Sequence, residues 1–342
     1  MKKKKLFNKQ GIRGTESLIK GNSTNLREWN RIKYDWAYNM YRTMLNNFWI
    51  PEEISLSDDI KQFSNLTDDE RFAFDRIISF LNFLDSIQSE NLPNISRYLT
   101  APELTSLINI QTFQEEIHAQ SYSYILDTVT DPKNRDKIYD MWRDDELLLS
   151  RIEFIANIYQ DFVDEESKEN FIKVLMANYI LEGIYFYSGF AFFYTLARQE
   201  KMSGTASIFK YINRDETTHL VIFQNMMKHL FEEYKDIVTD EMKEQLRDLM
   251  KQGVEWEIKW GQYVTNNKIL GLSNEIIDLY IKYLSNLRLK SIGLEPLYPE
   301  VKDNPMSWID NFSKINNTKT DFFEAKVENY TKASNFNIND LE

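Results

Sequence analysis

Apolar positions recur at helical spacing along most of this chain. After Thr67, residues Phe72, Phe74, Ile77, Ile78, Leu81 and Leu84 return every few places, the rhythm of one face of an α-helix. Thr67-Asp68-Asp69-Glu70 just ahead of them has the form of a capping box, in which Thr and Glu side chains answer each other's free N–H groups. A helix therefore opens there, carries Asp85, and is expected to end before Pro93. Pro102 marks another helix start, because proline suits the first helical position. That helix carries Glu115, His118 and Tyr122 until Asp131-Pro132 stops it. A first helix is expected over about 28–48, ending near Phe48-Trp49-Ile50-Pro51, and shorter ones over 134–163. A long helix over about 167–199 contains Glu182, and another runs from Ser203 to about 235 with Glu216 and His219. Two more are expected over 239–269 and 273–290. No period-two alternation runs long enough to form a strand. The pattern predicts an all-α fold.

Glycine and proline sharpen that reading. No glycine occurs between Gly21 and Gly183 and no proline between Pro132 and Pro296, which favours long uninterrupted helices. The first gap also excludes a Gly-rich phosphate loop or dinucleotide fingerprint from that stretch. Three regions are expected: a polar N-terminal segment, 1–27; a helical domain, 28–300; and a polar, Asn-rich, flexible C-terminal tail, 301–342. The apolar run Tyr179–Ala197 has the length of a membrane span. Glu182 near its end, its tyrosines and the lack of a second span favour a buried core helix instead, so no membrane association is expected.

Composition narrows the chemistry. The chain has 342 residues, 42% apolar and 14% aromatic, enough to bury a large core. Its net charge of −12 argues against nucleic-acid binding, which needs a basic surface. Met1 to Lys5 is basic but no apolar segment follows, so it does not form a secretory signal. Cysteine is absent, which excludes thiolate nucleophiles, zinc–cysteine sites and iron–sulfur ligation and fits a reducing cytoplasm. Any redox chemistry must run through metal, tyrosine or tryptophan.

Two of the three histidines sit three places after a glutamate, in Glu115-Glu116-Ile117-His118 and Glu216-Thr217-Thr218-His219. Residues three apart share a helix face, so each pair can aim a carboxylate and an imidazole at one ion. Paired Glu-x-x-His helices, with one further carboxylate from each of two partner helices, build the di-metal site of ferritin-like bundles. Asp85 and Glu182 are the candidate partner carboxylates, each flanked by apolar residues, where a lone carboxylate is costly to bury. Four carboxylates and two imidazoles form a hard ligand set suited to iron or manganese. Tyr122 falls within an arc of roughly 60° of Glu115 and His118 at 100° per residue, close enough for oxidation by a metal centre. Read alone, Tyr122 could be a core tyrosine, Trp49 a packing anchor beside Pro51, and Asp215 a surface acid. His229 has no glutamate three places before it and is not a ligand candidate.

Taken together, Phe48-Trp49-Ile50-Pro51-Glu52-Glu53, Leu84-Asp85-Ser86-Ile87-Gln88, Glu115-x-x-His118 with Ser121-Tyr122, Leu181-Glu182 with Phe186-Tyr187, Arg214-Asp215-Glu216-x-x-His219 and Lys319-Thr320-Asp321-Phe322-Phe323-Glu324 resemble the small, radical-generating subunit of class I ribonucleotide reductase. The blocks run in family order from about residue 30 to the C-terminus. The resemblance implies a ferritin-like bundle with additional helices and two iron ions per chain, with a dimanganese centre as the alternative. Asp85, Glu115 and His118 would hold one ion; Glu182, Glu216 and His219 the other, with Glu115 and Glu216 bridging. Tyr122 would store the radical, shielded by Phe186, Phe190 and Ile212. Trp49, Asp215 and His118 would form the route out, and Tyr330 would relay the radical to the large catalytic subunit, on which Asn335–Glu342 would dock. A cytoplasmic homodimer is implied as well. Two rivals share the paired motif: a di-iron oxygenase or acyl desaturase, and a ferritin-like iron-storage protein. The first would need a substrate channel beside the metals and has no use for Tyr122, Trp49 and Tyr330 together; storage chains are typically much shorter, and a long polar tail adds nothing to a mineral cage.

Overall fold

Thr67 Oγ1 accepts the Glu70 N–H at 3.2 Å while a Glu70 carboxylate oxygen accepts the Thr67 N–H at 2.9 Å, so one of the long helices starts where its capping box lies. The computed structural model describes residues 1–14 and 16–313; Tyr330 and Asn335–Glu342 lie outside them. Along the chain run α1 (Asp35–Asn46), α2 (Ser57–Ser64), α3 (Asp68–Ser96), α4 (Pro102–Val129), α5 (Pro132–Asp144), α6 (Glu146–Asp164) and α7 (Lys168–Ile180). A π turn, Leu181–Tyr185, then leads into α8 (Tyr187–Arg198), followed by α9 (Ser203–Glu233), α10 (Asp240–Thr265), α11 (Asn274–Ser291) and the short α12 (Asp310–Ser313). Among the described residues, β-pairing is limited to two isolated bridges, Ile12 with Ser23 and Ile269 with Leu272.

The long helices form a bundle. α3 packs along α4, α4 against α9, and α9 against both α7 and α8. α10 and α11 cover the α7–α8 side, and α5 and α6 cover α3. The Lys168–Arg198 stretch, apolar enough to cross a membrane, is instead 94% buried over its most apolar window.

Four expectations change. The first helix begins at Asp35 rather than near 28, because the Lys33 and Tyr34 N–H groups donate to Glu103 Oε1 at 3.0 and 3.2 Å instead of entering a helical ladder. α2 was not foreseen; Asp59, buried at 1% exposure, ties it to α9 by accepting the Gly204 and Thr205 N–H groups at 3.0 and 2.6 Å. Pro93 lies inside α3 rather than beyond it. It removes one ladder bond near the helix end, and the complete burial of Leu92 and Ile95 on either side outweighs that loss. The long helix over 167–199 is divided by the π turn, which carries Glu182.

Candidate metal centre

Four segments deliver the six residues. α3 supplies Asp85, α4 Glu115 and His118, the π turn Glu182, and α9 Glu216 and His219. All six are fully buried. Ligand atoms of Asp85, Glu115, His118 and Glu216 lie within 4.8 Å of one another, as do those of Glu115, Glu182, Glu216 and His219. Glu115 and Glu216 belong to both groups. Each divides its oxygens between the two imidazoles: Glu115 Oε2 lies 3.3 Å from His118 Nδ1 and its Oε1 3.2 Å from His219 Nδ1. Glu216 Oε1 lies 3.0 Å from His118 Nδ1 and its Oε2 2.8 Å from His219 Nδ1.

Both imidazoles present Nδ1 inward and Nε2 to an outer partner. His118 Nε2 faces Asp215 Oδ2 at 3.5 Å, and His219 Nε2 meets Gln114 Oε1 at 3.0 Å. Such outer partners fix ring orientation at metal sites. Gln88 and Gln111 donate to Glu182 Oε1 at 2.7 and 2.9 Å, and Tyr159 donates to Gln88 Oε1 at 2.8 Å. Sequence reasoning missed these amides. Gln88 lies three after Asp85 and Gln111 four before Glu115, on the faces of the acids they flank, so a local signal existed. Tyr159, on α6, gave none.

The electrostatics explain why a cation suits this cluster. Burial, reinforced by the Glu216 and Glu115 charges, raises the Asp85 and Glu182 carboxyls well above the ordinary range. Burial would lower both imidazoles, yet the surrounding carboxylates outweigh it and raise them. Burial would likewise raise Glu216, but its two imidazole neighbours draw it down. The cluster therefore holds positive charge strongly. Asp85 Oδ1, Glu115 Oε2, His118 Nδ1, Glu182 Oε2 and Glu216 Oε1 have no hydrogen-bond partner despite burial. Orphaned buried polar atoms are rare, and five within one N/O cluster fit coordination by two hard cations.

Tyr122 is 1% exposed and donates its phenol proton to Asp85 Oδ2 at 2.7 Å. Burial first, and then Asp85, raises its pKa well above that of a free phenol. Phe186, Phe190 and Ile212 are buried at 1% exposure each. The ring found against Tyr122 is one the sequence reading did not name, Phe209, at 6.0 Å, with Phe190 packed behind it at 6.2 Å. Trp49 Nε1 donates to Asp215 Oδ2 at 2.8 Å, and Arg214 grips Oδ1 of the same carboxylate at 3.1 Å. Trp49 also stacks on Tyr211 at 5.2 Å. A cavity of about 70 Å³ borders Trp49, Phe113 and Gln114. His229, away from the cluster, accepts from Trp36 Nε1 at 3.1 Å.

Fold and cluster together define a class: an all-α, ferritin-like bundle whose buried carboxylates and imidazoles can bind metal. The family model for the ribonucleotide reductase small chain matches residues 26–305. A ribonucleoside-diphosphate reductase subunit beta from Treponema pallidum is 47% identical over 338 residues, spanning 98% of this chain and 96% of that one. The subunit of the same name from Halalkalibacterium halodurans is 39% identical over 334 residues, 98% and 97% of the two chains. The solved ribonucleotide reductase R2 subunit from Clostridium botulinum is 71% identical, with a TM-score of 0.90 over 92% of this chain and 99% of its own. This chain belongs to the ribonucleotide reductase small-chain family. Its enzyme is ribonucleoside-diphosphate reductase, an oxidoreductase in which a small subunit works with a large one.

Proposed function

We propose that the buried cluster holds two metal ions and that the chain forms and stores a radical on Tyr122 for use by the large subunit. Asp85, Glu115 and His118 would hold one ion and Glu182, Glu216 and His219 the other, with Glu115 and Glu216 shared between the two groups. The observation that carries this reading is the oxygen sharing of the two bridging glutamates, one oxygen toward each imidazole. Two iron ions fit the ligand set, and dimanganese is the alternative, since both metals accept N/O donors.

When bound, the pair of ions activates oxygen and supplies a one-electron oxidant. The chain's own residues do the rest. As Tyr122 loses an electron, its proton has an acceptor in place, Asp85 Oδ2 at 2.7 Å. Burial and the Phe209–Phe190 packing keep water and reductants from the resulting neutral radical. Asp215 fixes Trp49 through the indole N–H and faces His118 through the same oxygen, giving electron and proton a connected path from cluster to Trp49. Tyr330 takes the oxidising equivalent onward, and Asn335–Glu342 docks the chain on the large subunit, where ribonucleotides lose the 2′-hydroxyl. The absence of cysteine from this chain fits thiol chemistry on that partner. The protein works as a cytoplasmic homodimer.

An oxygenase or desaturase would need a substrate channel beside the metals and would have no use for Tyr122, Trp49 and Tyr330 together. The test is anaerobic Fe(II) loading of the full chain, exposure to O₂, and low-temperature EPR. Two ions per chain and a tyrosyl signal that vanishes in Tyr122→Phe are expected. Bulk iron uptake, or a signal that survives the substitution, would overturn the reading.

A further inference from the structure

Glu182 sits in a π turn, Leu181–Tyr185. Such a turn widens the helix and interrupts its regular bonding, so its backbone groups need partners from elsewhere. Two arginines supply them, and a glutamate serves an amide just beyond the turn. Arg288 of α11 donates Nε to the Gly183 carbonyl at 3.2 Å, and Arg151 of α6 donates Nη2 to the Tyr185 carbonyl. Glu257 of α10 accepts the Ser188 N–H at 3.0 Å, an amide in the first turn of α8 that has no helical acceptor. Arg151 and Glu257 also pair directly, and neither is exposed at all.

α10 is shaped to deliver Glu257 to that place. Gly253, Glu257 and Gly261 are four residues apart and share one face. A Cβ on Gly253 would come within 2.7 Å of Ile180 Cγ2, and one on Gly261 within 2.7 Å of Ser188 Oγ. The α10 backbone thus lies against both ends of the 180–188 segment at a separation that larger residues would prevent. The Arg151 guanidinium stacks over Phe80 at 3.4 Å and Tyr185 at 4.4 Å, so its plane is fixed as well as its hydrogen bonds. A buried ion pair is seldom a better source of stability than apolar packing of the same volume. Its value here lies in what it holds.

We propose that Arg151 and Glu257 are positioning residues for Glu182. They clamp the π turn at its C-terminal end, so that Glu182 Oε2 faces His219, 3.8 Å from Nδ1. The ion between Glu182, Glu216 and His219 then depends on the clamp. The ion held by Asp85 and His118, on α3 and α4, does not. This rests on the two-ion reading above.

The experiment is anaerobic Mn(II) titration of the full chain, counting free and bound ion by EPR, for wild type, Arg151→Met and Glu257→Gln. Wild type takes two ions. Each folded variant is expected to keep one at wild-type affinity and to bind the second roughly ten- to hundredfold more weakly, as loss of outer partners does elsewhere. The signal of an isolated Mn(II) should replace that of a coupled pair, and Arg151→Lys should recover part of the loss. If Arg151→Met does not fold, Glu257→Gln decides, since its amide oxygen can still accept from Ser188. Folded variants that bind both ions as wild type does, or that weaken both alike, overturn the clamp alone. A wild type that takes fewer than two ions overturns the ligand assignment and the clamp with it.

Discussion

Trp49 Nε1 and Asp215 Oδ2 are 2.8 Å apart, and that same carboxylate oxygen faces His118 Nε2 at 3.5 Å. One buried atom therefore joins the buried Trp49 indole to an imidazole of the metal cluster. Asp215→Ala should leave the Trp49 N–H and the Arg214 guanidinium without their acceptor, at a cost of about 1–3 kcal/mol in unfolding free energy. With metal supplied in excess, to offset the weaker binding that follows when His118 loses its outer partner, Tyr122 should still form its radical, while turnover with the large subunit falls to background. Steady-state nucleotide reduction beside EPR quantitation checks this. Normal turnover with the radical present would remove Asp215 from the route.

Tyr122 and Asp85 make a different kind of contact, a phenol donating to a fully buried carboxylate. Tyr122→Phe removes the donor but keeps the ring volume. Metal stoichiometry should stay at two per chain, and unfolding stability should fall by about 1–3 kcal/mol because Asp85 Oδ2 loses its partner. Metal analysis and denaturant unfolding measure both. Loss of metal in the variant would mean that the phenol organises the site rather than serving it.

Features set by neighbours in sequence were legible before the fold was known. The Thr67–Glu70 cap needs only residues three apart, and so do Glu115 with His118 and Glu216 with His219. Asp85 and Glu182 stood out because apolar residues surround them. Where a distant residue decides, the sequence was silent. Glu103 diverts the amides of Lys33 and Tyr34, so α1 starts late. The π turn depends on Arg151, Glu257 and Arg288 from three other helices, and no pattern in Leu181–Tyr185 announces it. Phe209 is one aromatic among many in the chain, and only the packing of α9 against α4 brings it to Tyr122.

Glu257 should make stability depend on pH. Burial raises its carboxyl from 4.5 to about 7, against the pull of Arg151. A carboxyl whose pKa is higher in the folded than in the unfolded chain binds its proton more tightly when folded, so stability falls as pH rises from 4.5 to about 7. The span corresponds to roughly 3 kcal/mol. Arg151, lowered to about 10 by burial, stays charged across that window. Urea unfolding of wild type and Glu257→Gln on either side of it should show the wild type losing stability relative to the variant as pH rises. Parallel curves would mean that Glu257 does not titrate there.

Trp49 ends the buried path, and no cysteine in this chain can receive the oxidising equivalent, so a carrier must span the gap to the large subunit. Tyr330 is the one tyrosine in the sequence after residue 300, and the proposed relay assigns that step to it. Tyr330→Phe keeps the ring but removes the oxidisable phenol, so the Tyr122 signal should persist while turnover stops. Deleting Asn335–Glu342 should act on affinity instead, raising the Kd for the large subunit by about tenfold or more, some 1.4 kcal/mol, with metal content unchanged. Binding assays on the two variants separate relay from docking. Tyr330→Phe should bind as wild type does and fail only in turnover, whereas the truncated chain should recover turnover when the large subunit is in excess. Retained turnover in Tyr330→Phe would rule out this tyrosine as the carrier.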